Sequence, residues 1–145
     1  MNYQISSPST EKEWNAYYDL RWEILRKPWY QPKGSEKDEL EDSSIHKIIL
    51  NQDDQILASG RIHFTGKNTA QIRYMAVLPE YRDMGLGTMI LNALEEEALK
   101  HIAREIILHA RESAVAFYEK HGYKIEKASH LLYGDIQHFL MKKKL

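Results

Sequence analysis

The sequence contains no cysteine, and this absence removes several kinds of chemistry at once. Without cysteine there is no disulfide, no thiolate ligand for a metal, and no cysteine nucleophile or acyl-cysteine intermediate. The chain also lacks any run approaching the roughly 20 apolar residues of a membrane-spanning helix, and Met1 to Thr10 lack the charged and then apolar segments of a secretion signal. We therefore expect a cytoplasmic protein with no membrane partner.

An excess of charge of one sign is also missing. The chain has 20 lysine and arginine residues against 21 aspartate and glutamate residues, which gives a formal net charge of −1. No long basic run occurs, so the electrostatic footprint of a nucleic-acid-binding protein is absent. The seven histidines show none of the close paired spacings of zinc sites. We expect neither a nucleic-acid partner nor a bound metal.

The composition that is present is typical of a globular protein. Hydrophobic residues make up 43% of the chain and charged residues 28%, far from the composition of disordered chains. A length of 145 residues is enough to bury a core around a sheet and a few helices. We predict a single domain over residues 1–145.

The first helix is predicted over Thr10 to Arg26. Thr10 and Glu13 have the capping-box spacing, in which a hydroxyl and a carboxylate satisfy backbone donors at the start of a helix. Pro28 ends the helical pattern. Four large side chains recur at helical spacing and are predicted to face the core: Trp14, Tyr18, Trp22 and Leu25. The segment Trp29 to Ser44 is predicted to be a loop with room for one helical turn.

The rest of the chain predicts strands around a second and a third helix. The β-prone runs are Asn2 to Ser6, Ile45 to Leu50, Ile56 to Phe64, Ala70 to Leu78, Glu105 to Ala110, Tyr123 to Ala128, and Ile136 to Lys143. Short connections make the second, third and fourth of these antiparallel. An amphipathic helix at Thr88 to Ile102 would bury Leu91, Leu94, Ala98 and Ile102. Ser113 is predicted to cap a short helix that ends at Gly122.

The hexapeptide Arg82 to Gly87 lies between a strand-like run and this second helix. Glycine lets backbone N–H groups approach a phosphate closely, and a helix N-terminus supplies unpaired donors and a favourable dipole. A Rossmann loop would need a third glycine where the chain has Ile90, and a P-loop would end in Gly-Lys-Ser/Thr. The pattern therefore predicts a backbone anion site of another kind, or else a sharp turn in which the glycines only permit the bend.

Two segments together resemble the GNAT (GCN5-related N-acetyltransferase) superfamily. One is the strand, turn and helix start from Met75 to Gly87, and the other is Ala114 to Tyr123, with the letters AVAFYEKHGY. They occur in the order and at the spacing of that superfamily. The resemblance implies an α/β fold of the α+β type. Its mixed, mostly antiparallel sheet would have about six to seven strands, with helices on both faces. It also implies a splayed strand pair, Ala70 to Leu78 and Glu105 to Ala110, at an acyl-CoA site.

The function implied by the resemblance is that of an acyl-CoA-dependent N-acyltransferase. Such an enzyme would transfer acetyl from acetyl-CoA, or another acyl group, to a primary amine of a small molecule or protein by direct attack through a tetrahedral intermediate. The alternative function is a non-catalytic CoA-binding sensor or interaction module of the same fold. A plain α/β interaction domain without a CoA site is a third interpretation. A homodimer is left open.

The resemblance also implies which residues bind the cofactor. The backbone of the fourth strand would pair with the pantetheine arm, and the amides of the turn would hold the pyrophosphate. Arg111 stands where many relatives carry asparagine, and its side chain is assigned to the cofactor as a phosphate contact. The cofactor-binding residues are Met75, Ala76, Val77, Arg82, Asp83, Met84, Gly85, Leu86, Gly87, Thr88, Arg111 and Tyr118.

Catalysis by direct attack requires a deprotonated amine, a donor for the oxyanion and a proton for the departing thiolate. By resemblance, Tyr118 is the general acid and the N–H of Met75, beside a local bulge, is the oxyanion donor. Ile106 occupies the position where some relatives carry a glutamate base. His109 is our candidate base. Glu112, Tyr74 and a water chain stay open as alternatives.

The acidic stretch Glu36 to Asp42 allows two interpretations. It is either a solvated loop, or the lining of an acceptor entrance that attracts a cationic amine such as a polyamine, an amino sugar or a lysine side chain. In the second case, neutralising Glu39 and Glu41 should raise the KM for the acceptor and leave that for acetyl-CoA unchanged.

Overall fold

The structure is a computed structural model that describes residues 2–145. It contains a seven-stranded sheet in the order β1-β2-β3-β4-β5-β7-β6. The strands are β1 (Gln4–Ser6), β2 (Ile45–Leu50), β3 (Ile56–Phe64), β4 (Thr69–Val77), β5 (Glu105–Arg111), β6 (Lys124–Leu132) and β7 (Ile136–Lys144). Neighbouring strands are antiparallel except β4 and β5, which are parallel. The predicted mixed, mostly antiparallel sheet is confirmed.

Helices cover both faces of the sheet, as predicted. The helices are α1 (Glu11–Leu25), α2 (Leu86–Lys100) and α3 (Val115–Lys120). Alternation along β2 separates the two faces, because Ile49 packs into the core under α2 whereas Ile48 packs against Tyr17 and Leu20 of α1. Within residues 2–145, no helix has both the length and the apolar character needed to cross a membrane.

The start of α1 agrees with the prediction, but its buried face does not. Thr10 caps the helix and its hydroxyl accepts from the amide of Glu13, whose own carboxylate accepts from the amide of Ser9 at 2.9 Å rather than from Thr10. The predicted stripe Trp14, Tyr18 and Trp22 is only half-buried. The buried row comprises Tyr17, Leu20, Arg21 and Leu25. The amphipathic rings of the predicted stripe lie at the rim of the core, where Trp22 donates to the carbonyl of Gln31 and Tyr18 donates to Glu41.

Helix α2 is displaced by two residues from the prediction at both ends. It begins at Leu86 because Gly85 takes a left-handed conformation, with φ of +82°, and serves as the N-cap. It ends at Lys100 in a Schellman motif, in which Ala103 donates to the carbonyl of Ala98 and Ile102 donates to that of Leu99. Ile102 therefore occupies the left-handed position usually held by glycine and is 73% exposed, so its predicted burial is wrong.

The third helix confirms one predicted end and corrects the other. Gly122, at φ of +93°, follows α3 in a second Schellman motif, in which Tyr123 donates to the carbonyl of Tyr118. Ser113 does not cap the helix, because it lies inside a short 3-10 turn at Glu112–Ala114 and the N-cap position falls on Ala114.

Candidate functional site

A cleft opens where β4 and β5 stop pairing. The two strands are hydrogen-bonded in parallel from Thr69 with Glu105 as far as Ile72 with Leu108, and no register continues beyond that pair. The remaining part of β4 is still paired on its other edge with β3. The backbone N–H and C=O groups of this part of β4 that point toward β5 are therefore not paired with that strand, and they line the cleft. The splayed strand pair predicted from the sequence is confirmed.

A β-bulge in β4 shapes one wall of this cleft. Ser59 lies opposite Ala76 and Arg61 lies opposite Arg73, so two residues of β4, Tyr74 and Met75, face one residue of β3. Tyr74 has a φ of +59°, which is unusual for a residue other than glycine. The bulge predicted beside Met75 is therefore present.

The extra residue of the bulge reverses which side chains face each side of the sheet. Before it, Ile72 packs into the core under α2; beyond it, Met75 packs there while Tyr74 and Ala76 contact Leu25 of α1. The glycine opposite the bulge is required by close packing. A Cβ on Gly60 would lie 2.7 Å from atoms of both Ile90 and Met75.

The predicted anion turn lies at the open end of the cleft. Asp83 and Gly85 both have positive φ, at +62° and +82°, and the residues 82–85 are exposed. No side chain caps the first turn of α2 at Gly85. The first amides of this 15-residue helix are therefore available to an anion in the way that the sequence predicted.

Tyr118 is buried on α3, with 7% of its surface exposed. Burial raises the pKa of its phenol, and the neighbouring charge of Arg111 opposes that change. Its hydroxyl has no hydrogen-bond partner among residues 2–145. A buried phenol that keeps its proton and has no partner in the protein is suited to donate to a ligand.

The histidine expected as a base lies at the point where the strands part. His109 follows Leu108, the last paired residue of β5. It is exposed, and its ring lies 5.4 Å from that of His130, which stacks on His138 at 4.3 Å. Desolvation by its surroundings, followed by the charges of His130 and Arg73, lowers the pKa of His109. The neutral form that a base requires is thereby favoured.

The alternative bases lie in different environments. Tyr74 is buried, and burial raises the pKa of its phenol. Glu112 is exposed in the turn after β5. Ile106 is fully buried under α2, on the opposite face from Tyr74. A glutamate could not stand at that position without entering the apolar core.

Arg111, predicted to touch the cofactor, lies against the segment that follows α1. Its guanidinium is 4.4 Å from the ring centre of Trp29 and donates to the carbonyl of Leu25 at 3.4 Å. Trp29 also stacks on Tyr133 at the tip of the β6–β7 hairpin, with ring centres 6.4 Å apart. These contacts join the end of α1 to the far side of the cleft.

Two carboxylates of the acidic stretch, Asp38 and Glu41, belong to an ionic network with buried arginines, which favours a structural role for these two over attraction of a cationic acceptor. Glu41 contacts Arg21 and Arg61 at 2.9 Å each. Asp38 contacts Arg61 at 2.6 Å and Arg73 at 2.8 Å. Burial opposes ionisation of Asp38, but its hydrogen bonds and the charges of the two arginines hold its pKa well below the ordinary value.

The same network extends through neutral groups. Arg21 donates to the hydroxyl of Tyr17, which donates to Nδ1 of His46, and Nε2 of His46 donates to the carbonyl of Glu41 at 2.8 Å. Burial lowers the pKa of His46, in keeping with a neutral ring. Sequence reasoning missed these residues, although an arginine four residues after Tyr17 on the buried side of α1 was a signal of the network.

Known proteins share both the sequence pattern and this architecture. Residues 14–123 match the Acetyltransferase (GNAT) family. The Bacillus subtilis (strain 168) protein YjcF, an uncharacterized N-acetyltransferase, is 32% identical over 139 residues, which cover 96% of this chain and 97% of YjcF. This family match spans most of the chain.

Solved structures show the same fold. An aminoglycoside 6'-N-acetyltransferase complexed with coenzyme A has a TM-score of 0.81 at 19% identity, with 99% of this chain and 97% of that chain covered. A GNAT family acetyltransferase from Elizabethkingia anophelis with acetyl-CoA bound has a TM-score of 0.77 at 14% identity, with 99% of each chain covered. Together with the matched residues 14–123 and the similarity to YjcF, the splayed sheet shows that this chain belongs to the GNAT family of N-acetyltransferases.

Proposed function

We propose that this protein transfers an acyl group, most simply acetyl from acetyl-CoA, to a primary amine by direct attack. The observation that carries this proposal is the end of the β4–β5 pairing at Ile72 and Leu108, next to a helix start without a side-chain cap. The cleft presents unpaired backbone groups along its length and an anion site at its end. Acyl-CoA has amides and a pyrophosphate in the matching order.

The residues of the cleft fit the proposed co-substrate. Backbone polar groups of Met75 to Val77 that face β5 need partners, and the amides of a pantetheine arm would satisfy them. The backbone amides from Asp83 to Thr88 would hold the pyrophosphate, with Arg82 adding charge. Backbone donors dominate this site, so the exposed side chains of Asp83 and Met84 are tolerated there.

Three groups around the cleft match the three demands of amine acylation. His109, whose neutral form is favoured, would accept the proton of the attacking amine. The N–H of Met75, beside the bulge, would donate to the oxyanion of the tetrahedral intermediate. Tyr118, whose hydroxyl has no partner within residues 2–145, would give a proton to the departing sulfur. Each role is a proposal that a substitution can test.

A tyrosine pair offers a matched test of the general acid. We expect Tyr118→Phe to lower turnover by roughly 10²-fold or more, the usual contribution of a positioned acid, with little change in acetyl-CoA affinity. Tyr123→Phe is the control, because its ring lies 5.7 Å from that of Tyr118 but its hydroxyl donates to Glu95. Turnover is measured as thiol release with a panel of amines, and affinity by calorimetry.

The possible results separate the competing functions. Unchanged turnover in Tyr118→Phe would remove that residue from the mechanism and leave the activity intact. Binding of CoA without thiol release by the wild-type protein, with any amine, would instead indicate a non-catalytic CoA-binding module. Failure of CoA to bind or to protect against heat would contradict the site itself.

A further inference from the structure

The α1 face of the cleft is lined by basic side chains, of which the arginines carry the positive charge. Arg73 and His109 are the first residues after the last paired residues of β4 and β5, so they face each other where the strands part. Arg111 ends β5 on the same face as His109, since the two are separated by one residue of strand. Arg26, the residue after α1, lies beside them. Burial lowers the pKa of Arg111, and the nearby charge of Arg26 lowers it further.

The carboxylates of this face do not balance these charges. Asp38 and Glu41 are each bound between two arginines. Glu36 is buried, and its carboxylate accepts from the amide of Gly34. Five arginines lie on this side of the sheet, and only Arg21, Arg61 and Arg73 have a carboxylate partner; the other two are Arg26 and Arg111.

Arg26 and Arg111 are the two arginines left over. No carboxylate within residues 2–145 forms a salt bridge with either of them. Arg26 is only 9% exposed and donates to the backbone carbonyls of Ser35 and Leu25. Arg111 is half-buried and donates to the carbonyl of Leu25. Two neighbouring guanidiniums held from water without a counter-ion are costly unless an anion joins them.

We infer that Arg111, with Arg26 behind it, binds the carboxylate of the acceptor, so that the acceptor is an amino-acid-type molecule carrying both an amine and a carboxylate. This inference rests on the proposed acyl transfer. The position supports it, because the charge of Arg111 acts on Tyr118, the proposed general acid. An amine beside a carboxylate held there would lie near the point where β4 and β5 part. A polyamine would meet like charge instead.

The test compares acceptors that differ only in the carboxylate. Thiol release is measured with a panel of α- and β-amino acids, their carboxamides and the corresponding decarboxylated amines. We expect kcat/KM to be about 10- to 100-fold higher for the acids, as a charge-assisted hydrogen bond predicts. Arg111→Gln should remove this preference, so that the acids react no faster than their carboxamides. Arg104→Gln, which removes an exposed arginine at the other end of β5, should preserve it.

The affinity for acetyl-CoA shows whether Arg111 binds the acceptor carboxylate or a phosphate of CoA. If Arg111 binds the acceptor carboxylate, Arg111→Gln should leave the calorimetric Kd of acetyl-CoA within about twofold of wild type. A weaker Kd with the acid preference intact would assign Arg111 to a CoA phosphate and overturn the inference. Equal wild-type rates for acids and carboxamides would overturn it as well.

A turnover-independent measurement keeps the two proposals distinguishable. Amino acids and their carboxamides are titrated into the protein saturated with CoA, and the thermal midpoint of Arg111→Gln is recorded to confirm folding. Tighter binding of the acids in wild type, lost in Arg111→Gln, supports the inference even if no amine is acylated and the proposed function fails. Binding that does not distinguish acid from carboxamide overturns it whatever the activity.

Discussion

Replacing Glu41 by glutamine should destabilise the protein strongly, although the change preserves the shape of the side chain. The side chains of Arg21 and Arg61 are 0% exposed and that of Glu41 is 10% exposed, with N–O distances of 2.9 Å. Arg61 would keep Asp38, but Arg21 would lose its carboxylate partner. Removing one member of a buried ion pair costs about 3–5 kcal/mol, because a buried charge is left uncompensated.

An exposed ion pair between α1 and the loop that follows it supplies the control. Asp19 and Lys33 are 2.6 Å apart, but their side chains are 66% and 58% exposed. Asp19→Asn should therefore cost less than about 1 kcal/mol. Both variants are compared with wild type by urea unfolding, with the m-value checked for constancy. The network is claimed to anchor the loop before β2. If Glu41→Gln lowers the free energy of unfolding no more than Asp19→Asn does, that claim is refuted. Unchanged acceptor KM in the folded variant would agree with a structural role.

Three further outcomes follow from the packing and the pKa shifts. Gly60→Ala should cost about 1–3 kcal/mol in urea unfolding by overpacking, whereas Gly66→Ala, with nothing within 4 Å of the new Cβ, should be nearly neutral; equal effects would contradict the packing. The lowered pKa of His109 places the acidic limb of the kcat/KM profile below pH about 6.5, and His109→Gln should abolish that limb; an unchanged limb would exclude this base. The folded-state pKa of Asp38 lies below its unfolded value of about 3.9, so the wild-type protein should be more stable than Asp38→Asn above that pH, and this difference should shrink as acid is added. A difference in unfolding free energy that does not depend on pH would contradict the ion pairing of Asp38.

Features set by a few adjacent residues were predictable from the sequence. Thr10 caps α1, Gly122 takes the left-handed position after α3, and the glycine-containing turn at Gly85 starts α2. In each case the conformation depends on the side chain at that position or on its absence. The antiparallel pairing of β2, β3 and β4 was predictable for the same reason, because the short connections between them leave it as the simple outcome.

Features imposed by distant contacts were not predictable in the same way. Asp38 and Arg73 are 35 residues apart in the chain, so nothing local distinguishes a buried acidic residue from a solvated one. Ile102 adopts a left-handed conformation that its sequence disfavours, because Ala103 must reach Ala98 to close the end of α2. The bulge at Tyr74 was expected only through the family resemblance. The β-branched and aromatic run around it reads as an ordinary strand.

The central claim is that the cleft between β4 and β5 passes an acyl group from CoA to an amine. The most direct measurement mixes the purified protein with acetyl-CoA and an acceptor panel, and quantifies free thiol and N-acetylated product by mass spectrometry in one sample. The claim predicts equal amounts of thiol and N-acetyl product for at least one amine, with both reduced together in Tyr118→Phe. Binding of acetyl-CoA without any N-acetyl product across the panel, or thiol release that is independent of amine, would contradict it.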